Sequence, residues 1–231
     1  MSRHPDPTLK ISLLRAAEQV YVEKGVLGAT VEDITRRAGV SKGAFYLHFE
    51  NKEAAVKQVV ESFLARCGAH CGPPASDLPR DPDALLAQWH AIDVSLFEFL
   101  WQNRNLLGIL GGCQGEYHYL MQAFRDEMTQ TSKLWIAFFA ERGMYRKGLD
   151  ADVVSRLMFG AYNALFEKML ESPVRPPVEL WLLESLELFV RGLGTEPFIQ
   201  ACTRYCTSYR HKARPKLRAR NGRAASLSEK A

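Results

Sequence analysis

Residues 30–49 read TVEDITRRAGVSKGAFYLHF. Thr30 with Asp33 three positions later is a Thr-x-x-Asp form of the capping box, which predicts a helix opening at Val31. Gly39 closes that helix, because the residue after a helix often takes a left-handed conformation that favours glycine. Ser41 then caps a third segment, predicted as a helix through Phe49. Two short helices about the tight turn Ala38-Gly39-Val40 make a helix-turn-helix.

Leu9, Leu13, Ala16, Ala17, Val20 and Tyr21 recur on one face of a preceding helix that stops at Gly25. Asn51 caps a fourth helix, predicted to reach about Cys71. Ile34, Ala38, Val40, Phe45 and Phe49 supply a small core against Leu13, Ala17 and Val20. Lys42, Tyr46, Leu47 and His48 are left facing outward on the third helix. A cation, a phenol and an imidazole suit phosphates and base edges. Small residues at Gly43 and Ala44 let the helix approach a duplex closely. Helix N-termini bind phosphate, which puts Thr30 and Lys52 at backbone-clamping positions. Spacing alone suits an ordinary solvent face of a small helical domain equally well.

Residues 13–56, LLRAAEQVYVEKGVLGATVEDITRRAGVSKGAFYLHFENKEAAV, resemble the N-terminal domain of the TetR family of bacterial repressors. The agreement lies in Gly25, Thr30 through Ile34, Ala38 through Gly43, Tyr46, His48-Phe49 and Lys52-Glu53. The resemblance implies base and backbone contacts from Lys42, Gly43, Tyr46 and Leu47. It also implies phosphate contacts from Thr30, His48 and Lys52, with Ser41 in the same DNA-binding set. Ala44 departs from the family, which often has a threonine there, and Phe45 occupies a packing position.

Outside this stretch, strand signals are nearly absent and helical periodicity continues. Gly72-Pro73-Pro74 breaks the chain, and Asp81-Pro82 starts a helix running to about Asn103. After a glycine-rich kink at 108–115, helices are predicted from about Glu116 to Arg142, Asp150 to Glu171, and Pro176-Pro177 to Arg191. A last one opens at Pro197 and fades near Arg210. The fold class is therefore all-α, with a three-helix helix-turn-helix domain at 1–52 and a larger helical bundle at 53–210, which the resemblance implies is an effector-binding and dimerisation domain. The basic tail at 211–231 lacks apolar periodicity and is expected to be disordered.

The net charge of +4 conceals an asymmetry. Residues 1–60 carry +2, residues 61–202 carry −6, and residues 203–231 carry +8. Basic ends around an acidic body point to a polyanion partner at the ends. No apolar run is long enough to span a membrane, and the N-terminus lacks the pattern of a secretory signal, so a cytoplasmic location is expected. The five cysteines are read as free thiols. Cys67, His70 and Cys71, and again Cys202 and Cys206, lie one helical turn apart, yet no matching second cluster makes a metal site. No metal, cofactor or catalytic residue is expected, since no nucleophile or acid–base constellation converges.

The second domain is dense in aromatics, most of them core. A pocket for a flat or greasy effector is nonetheless expected among Trp101, Tyr117, Phe124, Trp135 and Tyr162, with Gln114, Glu116 and His118 as polar handles. For dimerisation, Val153, Leu157, Gly160, Ala161 and Ala164 give a small-residue face. Leu180, Leu183, Leu186 and Val190 give an apolar stripe on the next helix. These expectations describe a homodimeric repressor, bound to double-stranded DNA at a palindromic operator and released by a small hydrophobic ligand. A ligand-independent regulator, an activator, and a helical enzyme or partner-binding protein are the alternatives.

Overall fold

The computed structural model describes residues 6–75, 77–107 and 118–228. Among them the regular structure is helical, with a single isolated bridge between Tyr145 and Gly194. The helices are α1 (Pro7–Gly28), α2 (Val31–Ala38), α3 (Lys42–Tyr46), α4 (Lys52–Gly68), α5 (Pro82–Gln102), α6 (His118–Glu141), α7 (Ala151–Leu170), α8 (Val178–Leu193) and α9 (Glu196–Ser228). The chain is all-α, as its periodicity predicts. It divides into two compact units, one of residues 1–72 and 96–128, the other of 73–95 and 129–231.

The first unit is built on α1, α2, α3 and α4. Leu13, Ala17, Val20 and Tyr21 from α1 bury against Ile34, Phe45 and Phe49, and against Val56, Val59, Val60 and Phe63 of α4. Every side chain assigned from sequence to this small core is buried or packed against it. Arg66 of α4 reaches Glu18 of α1 at 2.6 Å, while its guanidinium lies 5.7 Å from the ring centres of both Phe63 and Phe99.

Two boundaries differ from expectation here. The first helix leaves helical geometry at Gly25 as expected (φ 71°, ψ 164°), but a further short turn follows it and carries α1 to Gly28. The third helix ends at Tyr46 rather than running through His48 and Phe49. The amide of His48 donates to the carbonyl of Phe45 at 2.9 Å, a tightened last turn. Phe45 and Phe49 must both reach the core, and the chain must then extend at Asn51 to cap α4. Those two are four apart and would share a face of a longer helix as well, so it is the extended Asn51 that sets where α3 must end.

The second unit centres on an aromatic cluster. Phe139 has ring-centre distances of 5.1 Å to Trp89, 4.9 Å to Tyr145 and 5.7 Å to Phe198. Leu183, Leu186 and Val190 of α8 complete the core with Phe198, Cys202 and Cys206 of α9. The segment after α6 is stitched to the α8–α9 junction: Arg146 N–H donates to Leu193 O at 2.9 Å and Thr195 N–H to Met144 O at 2.8 Å. Gly194 at that junction admits no side chain, since a Cβ would lie 2.5 Å from Val190 O.

The largest departure is at the C-terminus. α9 does not fade near Arg210; its backbone stays helical to Ser228, through most of the tail expected to be disordered. Lys, Arg, Ala and Leu dominate that stretch, and these are good helix formers even without an apolar face.

Candidate nucleic-acid interface

The reading head is assembled by three caps. At α2 the capping box is complete: Asp33 N–H donates to Thr30 Oγ1 at 3.2 Å and Thr30 N–H to Asp33 Oδ2 at 3.2 Å. The Thr30 hydroxyl also donates to Asp33 Oδ2, at 2.8 Å. These bonds satisfy the N-cap and N3 amides and leave the N1 and N2 amides, Val31 and Glu32, for an outside acceptor such as phosphate. Lys24 Nζ sits 2.6 Å from Asp33 Oδ1. Hydrogen bonds from Lys24 and then Thr30 hold the Asp33 carboxyl down to about 2. Thr30 thus belongs to the cap first, with its hydroxyl proton directed at Asp33.

Gly39 makes the turn in the left-handed region (φ 69°, ψ 30°), a conformation that costs any residue with a Cβ. Ser41 then caps α3, its Oγ accepting from Ala44 N–H at 3.2 Å. Its role in the structure is to start the helix that exposes Lys42, Gly43 and Tyr46.

On α3 burial separates two faces cleanly. Phe45 is wholly buried, while Tyr46 and Leu47 are 55% and 48% exposed, and Lys42 and Gly43 are exposed beside them. His48 lies just past the helix, half-buried. Lys42 Nζ is 2.9 Å from Glu32 Oε2, and that hydrogen bond raises the lysine and lowers the glutamate from their ordinary values. Sequence reasoning passed over Glu32, whose position beyond the turn from Lys42 becomes meaningful only once the turn is built.

Lys52 is committed elsewhere. Its ammonium donates to the carbonyls of Val26 at 3.1 Å and Ala29 at 3.2 Å, tying the start of α4 to the end of α1. Two of its three protons are thereby used within the head.

The expected effector residues fall in different units. Trp101, under the Arg104 guanidinium at 4.2 Å, and Phe124 belong to the first; Trp135 and Tyr162 belong to the second, packed on its aromatic core. Gln114, Glu116 and Tyr117 lie outside the described residues, and His118 opens α6. Tyr162 does have a polar partner: its hydroxyl donates to Asp93 Oδ2 at 2.6 Å. Burial pushes the Asp93 carboxyl up to about 7, against the opposing hydrogen bonds from Tyr162 and Trp89. Nearby His90 is buried, with Nε2 donating to Glu179 O at 2.7 Å and Nδ1 accepting from the Tyr205 hydroxyl at 2.9 Å. The signal for both was legible: a histidine and an aspartate within the otherwise apolar LLAQWHAIDVSLF of α5.

The expected dimer face needs correction. Val153 and Leu157 are 51% and 67% exposed, Gly160 and Ala164 are exposed, and Ala161 is half-buried, so the α7 stripe is open. Leu183, Leu186 and Val190 are fully buried in the protomer's own core and cannot meet a partner. Their stripe was read correctly as apolar but assigned to the wrong side of α8; the large apolar side chain that α8 exposes is Leu188.

Among the described residues no cluster of His, Cys, Asp and Glu could hold a metal, and no helix is long and apolar enough to cross a membrane. Cys202 and Cys206 are buried thiols with sulfurs 3.7 Å apart.

Residues 13–59 match the family model of the bacterial regulatory proteins of the tetR family. The chain is 26% identical over 189 residues to the HTH-type transcriptional repressor DhaR of a Mycobacterium species, covering 79% of this chain and 91% of that protein. It is 28% identical over 153 residues to the HTH-type transcriptional repressor KstR2 of Mycobacterium tuberculosis, covering 63% and 74%. Among solved structures, SmeT, the repressor of the Stenotrophomonas maltophilia multidrug efflux pump SmeDEF, shares the fold with a TM-score of 0.66. Its identity is 20% over 82% of this chain and 92% of that one. The capped α2–turn–α3 head and the family match on it lead to one assignment: residues 13–59 carry the N-terminal domain of the bacterial regulatory proteins of the tetR family, in a chain similar over most of its length to a transcriptional repressor.

Proposed function

We infer that this chain is a homodimeric repressor that binds a palindromic operator in the cytoplasm and leaves it when a small hydrophobic or aromatic effector binds the helical body. One observation carries the DNA half of this reading. α3 hides Phe45 and presents Lys42, Gly43, Tyr46 and Leu47 together on its open face, beside the unpaired first amides of α2. A helix shaped in this way supplies side chains to a major groove while α2 grips the backbone.

The two-fold arrangement is supported by the open apolar stripe Val153, Leu157, Gly160, Ala164 on α7, with Leu188 of α8 in place of its buried leucines. Two-fold symmetry would set a pair of α3 helices on successive turns of one duplex face. The effector half is supported by the aromatic content of the body and by SmeT, which has been solved as a triclosan complex.

The test is binding of the purified full chain to duplex from the DNA flanking its own coding region. The wild-type chain is expected to shift that duplex, and Tyr46→Ala and Lys42→Gln to lose the shift while melting as before. Reversal by triclosan or a similar lipophilic probe supports the effector half. Failure of the wild-type chain to prefer any flanking duplex over random sequence at 100 mM salt, about the physiological range, overturns the reading.

A further inference from the structure

Asp93 of α5 is a carboxyl enclosed in the second unit without a cation. Its hydrogen bonds bring it neutral donors: the Tyr162 hydroxyl of α7 at 2.6 Å, and the Trp89 indole one turn back on α5. Among the described residues no Lys or Arg acts on it. His90 does not supply the charge either. Its ring nitrogens are taken by Glu179 O at 2.7 Å and the Tyr205 hydroxyl at 2.9 Å, and burial holds its pKa down. A carboxylate withdrawn from water is ordinarily paired, because a lone buried charge is costly. At Asp93 the pairing is half built: the donors that favour the ionised form are in place, and the protein's described side chains bring no positive charge.

The pair also keeps an approach. Asp93 and Tyr162 are enclosed enough for burial to raise the pKa of both, yet each retains accessible surface and is half-buried. Phe139 and Tyr145, packed in the core of the same unit, keep 1% each. Asp93 and Tyr162 therefore line a space that a water-sized group enters, rather than solid core. Its apolar side is aromatic: the Phe189 ring lies 5.8 Å from that of Tyr162, and Trp89 stands beside the carboxyl it bonds. A further group in the cluster lacks a partner. The Tyr145 hydroxyl is buried with no hydrogen bond, and it lies close enough to Asp93 to feel its charge. A buried hydroxyl left in that state costs stability until a polar group meets it.

We propose that Asp93 seats the ammonium group of a lipophilic amine, with Trp89 and Tyr162 steadying the carboxylate and their rings and that of Phe189 lining the apolar part. This rests on the effector half of the function proposed above and narrows it to one chemical class. An ammonium brings the positive charge that the carboxylate lacks, and aromatic faces attract it as well. An anionic effector would meet an uncompensated carboxyl group. A purely apolar one would leave the polar cluster unpaired.

The test is calorimetric titration of the full chain, without DNA, at neutral pH. The probes are para-phenylbenzylamine, para-phenylbenzyl alcohol and para-phenylbenzoate, which share one flat ring pair and differ in the charge of the head group. The amine should bind about tenfold or more tighter than the alcohol, the gain from a charge-assisted bond out of water, and the benzoate should bind weakest. Asp93→Asn keeps the size of the side chain and removes its charge. It should bring the amine to within about threefold of the alcohol and leave the alcohol's affinity as in wild type, which also reports an intact fold. The comparison among probes on the wild-type chain needs no variant. Equal binding of amine and alcohol there overturns the proposal, as does binding of none of the three, or an amine preference that survives Asp93→Asn. Release from operator is read separately. Amine binding without release keeps the Asp93 site and overturns the effector half of the proposed function. Release by the alcohol or the benzoate but not by the amine keeps that half and overturns the amine.

Discussion

Lys42 and Glu32 face each other across the turn that joins α2 to α3, with the ammonium 2.9 Å from the carboxylate. An exposed pair of this kind adds little to stability. On the proposed function it matters more, since the cation that would meet a phosphate already has an anion beside it. Glu32→Gln should therefore strengthen duplex binding about three- to tenfold at 100 mM salt and steepen the salt slope by about 0.9, one further effective phosphate contact. Anisotropy titrations on operator and random duplex should show the gain on both. A gain confined to one sequence, or none, would mean that the carboxylate reads a base or stands clear of DNA.

Gly39→Ala tests the turn itself. No atom lies within 4 Å of the Cβ it would add, so the cost is that of a left-handed backbone alone, about 1–2 kcal/mol. Urea unfolding should show a lower midpoint with an unchanged m-value.

Asp93 predicts a pH dependence of opposite sign to that of an ordinary paired carboxylate. Its folded value is raised to about 7 from an ordinary 3.8, so the folded chain holds a proton that the unfolded chain releases above about 4. The contribution is complete below pH 4 and is lost as pH rises to 7, by roughly 4 kcal/mol as an upper figure. Asp93→Asn should flatten the change in unfolding free energy between pH 5 and 7.5 relative to wild type. An equal slope in both proteins would show that Asp93 is ionised in the fold.

Two leucines separate assembly from folding. Leu157→Asp, on the open stripe of α7, should yield a monomer in sedimentation with little loss of melting temperature. Leu186→Ala, in the core, should cost about 2–5 kcal/mol of protomer stability.

Local chemistry made the head legible in sequence: Thr30, Gly39, Ser41 and Asn51 each specify a cap or turn within a few residues of themselves. The end of α3 was less legible, because an i,i+4 pair such as Phe45 and Phe49 suits a helix that runs on as well as one that stops. The body was legible as helices but not as faces. Leu183, Leu186 and Val190 form an apolar stripe, and periodicity does not say whether such a stripe meets its own protomer or a partner. Lys52 resembled a phosphate ligand by position, yet the carbonyls it binds belong to residues more than twenty positions earlier. No window of sequence brings them together. The course of α9 past Arg210 is not legible, because residues 211–228 have no apolar face whose period would mark a helix.

The Lys52 ammonium fixes one end of α4 to the carbonyls that close α1, and Arg66 with Glu18 fixes the two helices again fourteen residues further along. The fastening points are about 21 Å apart along α4. Two fastenings that far apart fix the direction of α4 along α1 as well as its position. Between the two fastenings the turn and α3 are held through Ile34, Phe45 and Phe49, which pack on residues of both helices.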